Sequence, residues 1–134
     1  MDIFLSVNNR EQILQLPVVP PEFTVTKPHK HDVFETATQG DLKLLGPAGL
    51  KGITIESFFP VRDYPFLRSR AYKGFEYVYI IDTWLAAKLP IRLIITETPI
   101  NMAVTVDNFE YTIGSNSDLI FSLSMSEFPM PNVG

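Results

Sequence analysis

No cysteine occurs in the 134 residues, and that absence removes disulfide scaffolds, thiol nucleophiles, iron–sulfur clusters and thiolate zinc sites together. Charge is also scarce. Charged residues make up 19% of the chain and hydrophobic ones 46%, where soluble domains average about 25% charged. A domain so short of charge is expected to hide part of its surface against other chains. Basic residues are outnumbered, 11 Lys+Arg to 15 Asp+Glu, for a net charge of −4. Their densest cluster, Lys27 to Lys30, is too small to neutralise a phosphate backbone, so nucleic-acid recognition is not expected. No uncharged apolar run reaches the 18 or so residues of a spanning helix, so no membrane insertion is expected. Met1 to Val7 lacks a basic segment and a small-residue cleavage site, so it is not read as a signal peptide, and folding in the cytoplasm is expected. At this length one domain spanning 1–134 is predicted, able to bury roughly two thirds of its unfolded surface without a metal or disulfide.

What is present is mostly strand-forming. Ile3, Leu5 and Val7 alternate with polar or outward positions, Asn8-Asn9-Arg10-Glu11 makes a turn, and Ile13 to Leu16 completes a hairpin. Pro17, Pro20 and Pro21 cannot donate to a ladder and push the following chain to a sheet edge, where Phe23 to Thr26 resumes extended structure. A second, weakly amphipathic hairpin is predicted from His29 to Leu45 around Gln39-Gly40-Asp41. Gly52 to Phe59 places Ile53, Ile55, Ser57 and Phe59 on one face and Thr54, Glu56 and Phe58 on the other. Tyr77, Val78, Ile81, Trp84 and Leu85 share one face of a helix around 73–88, stopped by Leu89-Pro90. Ile91 to Thr96 reads as a central strand covered on both faces. In Asn101 to Ile113 the apolar triplets Met102/Val104/Val106 and Phe109/Tyr111/Ile113 are out of phase, which predicts a β-bulge at Asp107-Asn108. Asp118 to Ser126 has an apolar face and a serine-rich one, and residues 127–134 read as an extended exit. The fold class is α+β, mainly antiparallel, as a sandwich or partly open barrel with one packed helix.

Reactive constellations are thin. His29 and His31 form the only histidine pair, with Asp32 and Glu35 near, but two imidazoles make an incomplete metal site and a solvated turn explains them better. No Gly-x-Ser-x-Gly elbow accompanies the serines. Gly46-Pro47-Ala48-Gly49 lacks the Lys-Ser/Thr of a phosphate loop. Glu56, Asp107 and Glu110, with exposed aromatics, are the candidates for a rival reading as a peptidoglycan-binding or glycan-cleaving domain, since glycan cleavage needs two acids at set separations. Solvent-facing acids on half-exposed strands account for them without chemistry. No catalytic residue, cofactor or metal is therefore assigned. The aromatics from Phe58 to Trp84 are expected to form a core with a surplus facing a neighbour.

That aromatic region carries a family resemblance. Ser57-Phe58-Phe59-Pro60, Tyr64-Pro65-Phe66, the helix with Trp84, and the stretch from Lys88-Leu89-Pro90 through Thr98-Pro99-Ile100-Asn101-Met102-Ala103-Val104 together resemble the N-terminal domain of XkdP-type phage tail proteins. Leu16-Pro17-Val18-Val19-Pro20-Pro21 and the closing hairpin also fit, so the resemblance spans nearly the whole chain. That family usually continues into a LysM module. Nothing after Phe128 resembles one, which leaves a truncated form or a variant keeping only the assembly domain, and glycan binding is not carried over. The resemblance implies a tail-tube-like fold and a non-enzymatic component of a contractile tail, forming a ring near the baseplate or hub end. Its implied partners are further copies of itself, in a hexameric ring, and neighbouring tube, hub or baseplate proteins. Its implied place is the virion tail or baseplate, assembled in the bacterial cytoplasm. Val33, Phe34, Leu42 and Leu44 on the weak hairpin, and Phe58, Tyr64 and Phe66, are the candidate interface residues.

Overall fold

The polar turn at residues 8–11 folds the first two strands back on each other, β1 (Ile3–Val7) against β2 (Gln12–Gln15), with Leu5 opposite Leu14. Asn8, Asn9 and Arg10 all take positive φ there, a conformation that asparagine tolerates better than most residues. In a computed structural model of the chain, residues 1–27, 29–36, 40–48 and 51–128 are described, with backbone alone for 29–36 and 40–48. After the proline segment come β3 (Thr24–Thr26), β4 (His29–Thr36), β5 (Gly40–Ala48) and β6 (Gly52–Phe59). The helix α1 (Phe75–Ala86), the one helix among the described residues, leads to β7 (Ile91–Ile95), β8 (Asn101–Ile113) and β9 (Leu119–Glu127).

Seven strands form one antiparallel sheet in the order β2-β1-β7-β8-β9-β6-β3, while β4 and β5 pair separately as the predicted second hairpin. The large sheet is not closed. Its edges are β2 and β3, and the prolines before β3 suit an edge. The architecture is thus mainly antiparallel β with one helix, an open and partly barrel-like sheet. Expected phase holds along β6 and β9. Ile53 faces Met125 and Ile55 faces Leu123 on the inner face, while Thr54 faces Ser124 and Glu56 faces Ser122 on the outer one.

The bulge falls where the two apolar triplets of β8 require it. Val106 opposes Met125 and Asn108 opposes Ser124, leaving Asp107 unpaired between them. Its Oδ1 accepts from the Ser126 hydroxyl at 3.1 Å. Without this extra residue, Phe109 and Tyr111 would turn to the outer face.

The core lies between the inner face and α1. Tyr77, Val78, Ile81 and Trp84 of the helix are buried against Ile3, Leu5, Leu93, Val104, Phe121 and Leu123 of the sheet. Phe59 stacks between Tyr77 (4.8 Å between ring centres) and Phe121 (4.1 Å). Trp84 donates its indole N–H to Gln12 Oε1 at 2.8 Å, which ties the helix to the edge strand β2. The expectation that β7 is covered on both faces is corrected here. It is internal to the sheet, but Arg92 is exposed and Ile94 only half-buried, because the helix covers one face and nothing among the described residues covers the other.

Both helix ends are set by local chemistry. The helix is entered through Gly74, at φ 50° and ψ −116°, while Glu76 in the first turn accepts the Lys73 N–H at 3.0 Å. At the far end Lys88 adopts φ 56°, and the N–H groups of Leu89 and Lys88 bond to the carbonyls of Trp84 and Leu85, closing the helix before Pro90. A Cβ at Gly74 would lie 2.8 Å from Val61 Cγ1, on a backbone that L side chains rarely adopt. Gly74→Ala is therefore expected to cost about 1–3 kcal/mol of folding stability. Denaturant melts check this, and an unchanged midpoint would contradict it.

Candidate subunit interface

Phe58 stands on the outer row of β6, and the chain after it loops back under the control of one buried acid, Asp118 at the start of β9. Asp118 Oδ1 accepts the Val61 N–H at 2.9 Å. Its Oδ2 accepts the Tyr64 hydroxyl at 2.6 Å and the Asn116 side-chain amide at 3.1 Å. Arg70 closes the loop by donating to Asp63 and to the Tyr64 carbonyl. Gly74 N–H returns to the Pro60 carbonyl at 2.9 Å. The Ser57 hydroxyl donates to the Val18 carbonyl, and the Arg68 N–H to that of Pro17, so the loop is also fastened to the proline segment.

Held this way, three aromatics form one cluster. Tyr64 stacks on Phe66 with ring centres 5.2 Å apart, and Phe58 meets both edge-on at 6.0 and 6.2 Å. Phe66 remains 53% exposed, as does Ile120, the cross-strand partner of Phe58, at 56%. Phe58, Tyr64 and Phe66, singled out in the sequence, thus make a single apolar surface. The other candidates lie on the separate hairpin, where Phe34 opposes Leu42, Val33 opposes Lys43 and Leu44 opposes Asp32. The side chains of Val33, Phe34, Leu42 and Leu44 lie outside the described residues.

A second apolar surface was not foreseen. The last third of β8 runs beyond the helix, so Tyr111 and Ile113 point to the inner side of the sheet but stay exposed, at 41% and 59%. Phe75 at the helix start lies 6.0 Å from Tyr111 and 6.3 Å from Tyr79 between ring centres. Sequence alternation correctly assigned the inner face to Tyr111 and Ile113, yet it cannot tell where the covering helix ends. Asp118 also escaped notice, because its partners Val61 and Tyr64 are more than fifty residues away in sequence.

The hydrogen bond to Asp118 raises the Tyr64 pKa above its ordinary value, with burial and the Asp118 charge adding to it. Folding therefore favours the neutral hydroxyl. Its contribution is fully present below about pH 10, the unfolded value, and is lost as pH rises through the higher folded value. Tyr64→Phe is expected to be less stable than the native chain near neutrality, with the gap shrinking above pH 10. Melting both proteins from pH 7 to 11 checks this, and a constant gap would contradict it.

The rival sites are arranged differently. Glu56 and Glu110 lie in one row on either side of Ser122, on the open outer face, and both are exposed. Asp107 is occupied by Ser126 in the bulge. His29 and His31 are on β4, where the ladder shifts register between them, and their side chains lie outside the described residues. Among the described residues no helix is long and apolar enough to cross a membrane.

An open antiparallel sheet with one helix is a fold this chain shares with components of phage-like tails. A chain from the tail of an empty gene transfer agent particle, refined helically with C6 symmetry, superimposes with a TM-score of 0.62 at 12% identity, covering 97% of this chain and 92% of that one. A chain from the virion of a native gene transfer agent particle gives 0.59 at 12% identity, covering 96% and 92%. In sequence, the uncharacterised protein YqbP of Bacillus subtilis (strain 168) is 28% identical over 121 residues. That alignment takes in 86% of this chain and 54% of YqbP, so the chain spans about half the length of the relative it matches. No family model matches the sequence.

Proposed function

We propose that this chain is a structural component of a contractile phage tail or phage-tail-like particle and that its copies form a closed ring near the baseplate or hub end of the tube. The observation that carries this is the pair of exposed apolar surfaces on opposite faces of the sheet, Phe58/Tyr64/Phe66/Ile120 and Phe75/Tyr79/Tyr111/Ile113. A ring made by rotation uses two different patches per subunit, one meeting the other on the next copy. Exposed apolar clusters are costly in a free monomer and mark contact surfaces. The fold shared with a C6 tail supports six copies, and the resemblance to XkdP-type domains supports the position near the baseplate. The chain acts through contacts with itself and with tube, hub or baseplate proteins, without catalysis, and its assembly begins in the bacterial cytoplasm.

Phe66→Ser and Tyr111→Ser test this on both faces. Each exposed substitution is expected to leave the melting temperature within a few degrees of the native value and to reduce ring formation or incorporation into particles at least tenfold, a hot-spot effect. Native-like assembly by both variants would sink the proposal.

A further inference from the structure

On the outer face of the sheet, Arg92 of β7 stands between Ser6 of β1 and Ala103 of β8, cross-strand neighbours too short to cover it. The result is a depression. With Asn8, Asn9 and Arg10 of the β1–β2 turn and Asn101 of β8, these residues line a groove of about 520 Å³, a volume usual for small-molecule sites. Its lining holds two arginines and neither acid nor histidine. Among the described residues the ion pairs are Met1–Glu97, Arg68–Asp2 and Arg70–Asp63, so neither groove arginine has a carboxylate partner there. Arg92 donates only to Asn101, from Nη1, at 3.3 Å to Oδ1 and 3.5 Å to the carbonyl oxygen. A guanidinium carries five N–H donors in a planar fork, so most of this one is unengaged among the described residues.

Both arginines occupy positions where the fold alone favours another residue. Arg10 is held at φ 69°, after Asn8 and Asn9 at 52° and 55°. Asparagine tolerates that conformation and glycine adopts it freely, whereas for other residues it costs about 1–3 kcal/mol. Arg92 interrupts a strand that otherwise reads Ile, Leu, Ile, Ile and lies inside the sheet. In a chain of net charge −4 the groove is a local positive exception.

We propose that this groove binds a small ligand bearing a dianionic phosphate group, which Arg10 and Arg92 hold while the asparagine amides hydrogen-bond the rest. A phosphate monoester carries about −1.5 to −2 charges near pH 7 and accepts several charge-assisted hydrogen bonds, so it matches two guanidiniums. A single carboxylate leaves one of them uncompensated. Two arginines are also too few to hold a nucleic-acid backbone. The groove shares no residue with either exposed apolar surface. Ala103 and Tyr111 lie eight residues apart on β8, roughly 25 Å at the rise of an extended strand, so the site does not depend on the ring contacts.

Calorimetric titration of the chain with inorganic phosphate, glucose 6-phosphate and acetate, at one ionic strength, tests this. Both phosphates are expected to bind at least tenfold more tightly than acetate, since each charge-assisted hydrogen bond outweighs a neutral one. Tighter binding of glucose 6-phosphate assigns the groove to a phosphorylated hydroxyl compound, and tighter binding of inorganic phosphate assigns it to the free ion. Between pH 7.5 and pH 5 the affinity for glucose 6-phosphate is expected to fall about tenfold as the ligand passes its second pKa near 6, because nothing in the lining titrates there. Arg92→Gln is expected to weaken binding at least tenfold and Arg92→Lys less, since lysine restores the charge without the fork. Arg10→Asn is expected to melt no lower than the native chain while losing phosphate affinity. Acetate binding as tight as phosphate, a flat pH profile, or native affinity in both Arg92→Gln and Arg10→Asn overturns the proposal.

Discussion

Phe59→Ala is expected to destabilise the fold by about 3–5 kcal/mol, the largest effect of any single substitution considered. Phe59 is fully buried and lies in a three-ring stack, with Tyr77 of the helix on one side and Phe121 of β9 on the other. Its removal deletes buried apolar surface, opens a cavity that two flanking rings cannot both fill, and loses two aromatic contacts worth about 0.5–1.5 kcal/mol each beyond their area. Phe58→Ala, one residue earlier but on the outer face and half-buried, is expected to cost much less. Equal losses for the two would contradict the assignment of faces. Chemical denaturation read by circular dichroism makes the comparison.

Asp118→Ala is expected to cost about 2–3 kcal/mol and to loosen the loop from Val61 to Gly74. Its carboxylate serves the Val61 N–H, the Tyr64 hydroxyl and the Asn116 amide, and the residue is only 4% exposed. Deleting it leaves those donors without their acceptor and frees Tyr64 from the position that stacks it on Phe66. Asp118→Asn keeps one acceptor oxygen and is expected to lose less. Faster hydrogen exchange over residues 61–74, with exchange in β7 unchanged, is the expected signature. Uniform acceleration across the sheet would show a global role instead.

Much of this architecture is legible in the sequence because alternation is a local property. The phase break in β8 is the clearest instance, since Val106 and Phe109 cannot both face inward without an extra residue, and Asp107 is that residue. The inner rows of β6 and β9, the first hairpin and the helix that ends before Pro90 follow from the same reasoning. What periodicity does not carry is coverage. Ile91 to Ile95 is as apolar as a strand buried on both sides, yet its outer face is open, and Tyr111 and Ile113 face inward past the end of the helix. Of the exposed apolar surfaces, Phe58, Tyr64 and Phe66 were recognisable as surplus aromatics. Asp118, which fixes Tyr64, and the Phe75/Tyr111 surface depend on contacts between distant segments that no local pattern encodes.

Low charge and an uncovered sheet face acquire one explanation if the copies of this chain cover one another. Electron cryomicroscopy of an intact particle carrying the chain tests that most directly. A closed ring of six copies is expected beside the tail tube, with the Phe58/Tyr64/Phe66 surface of each copy against the Phe75/Tyr111 surface of the next. A particle whose tail lacks the chain, or holds it with both apolar surfaces facing solvent, would contradict it.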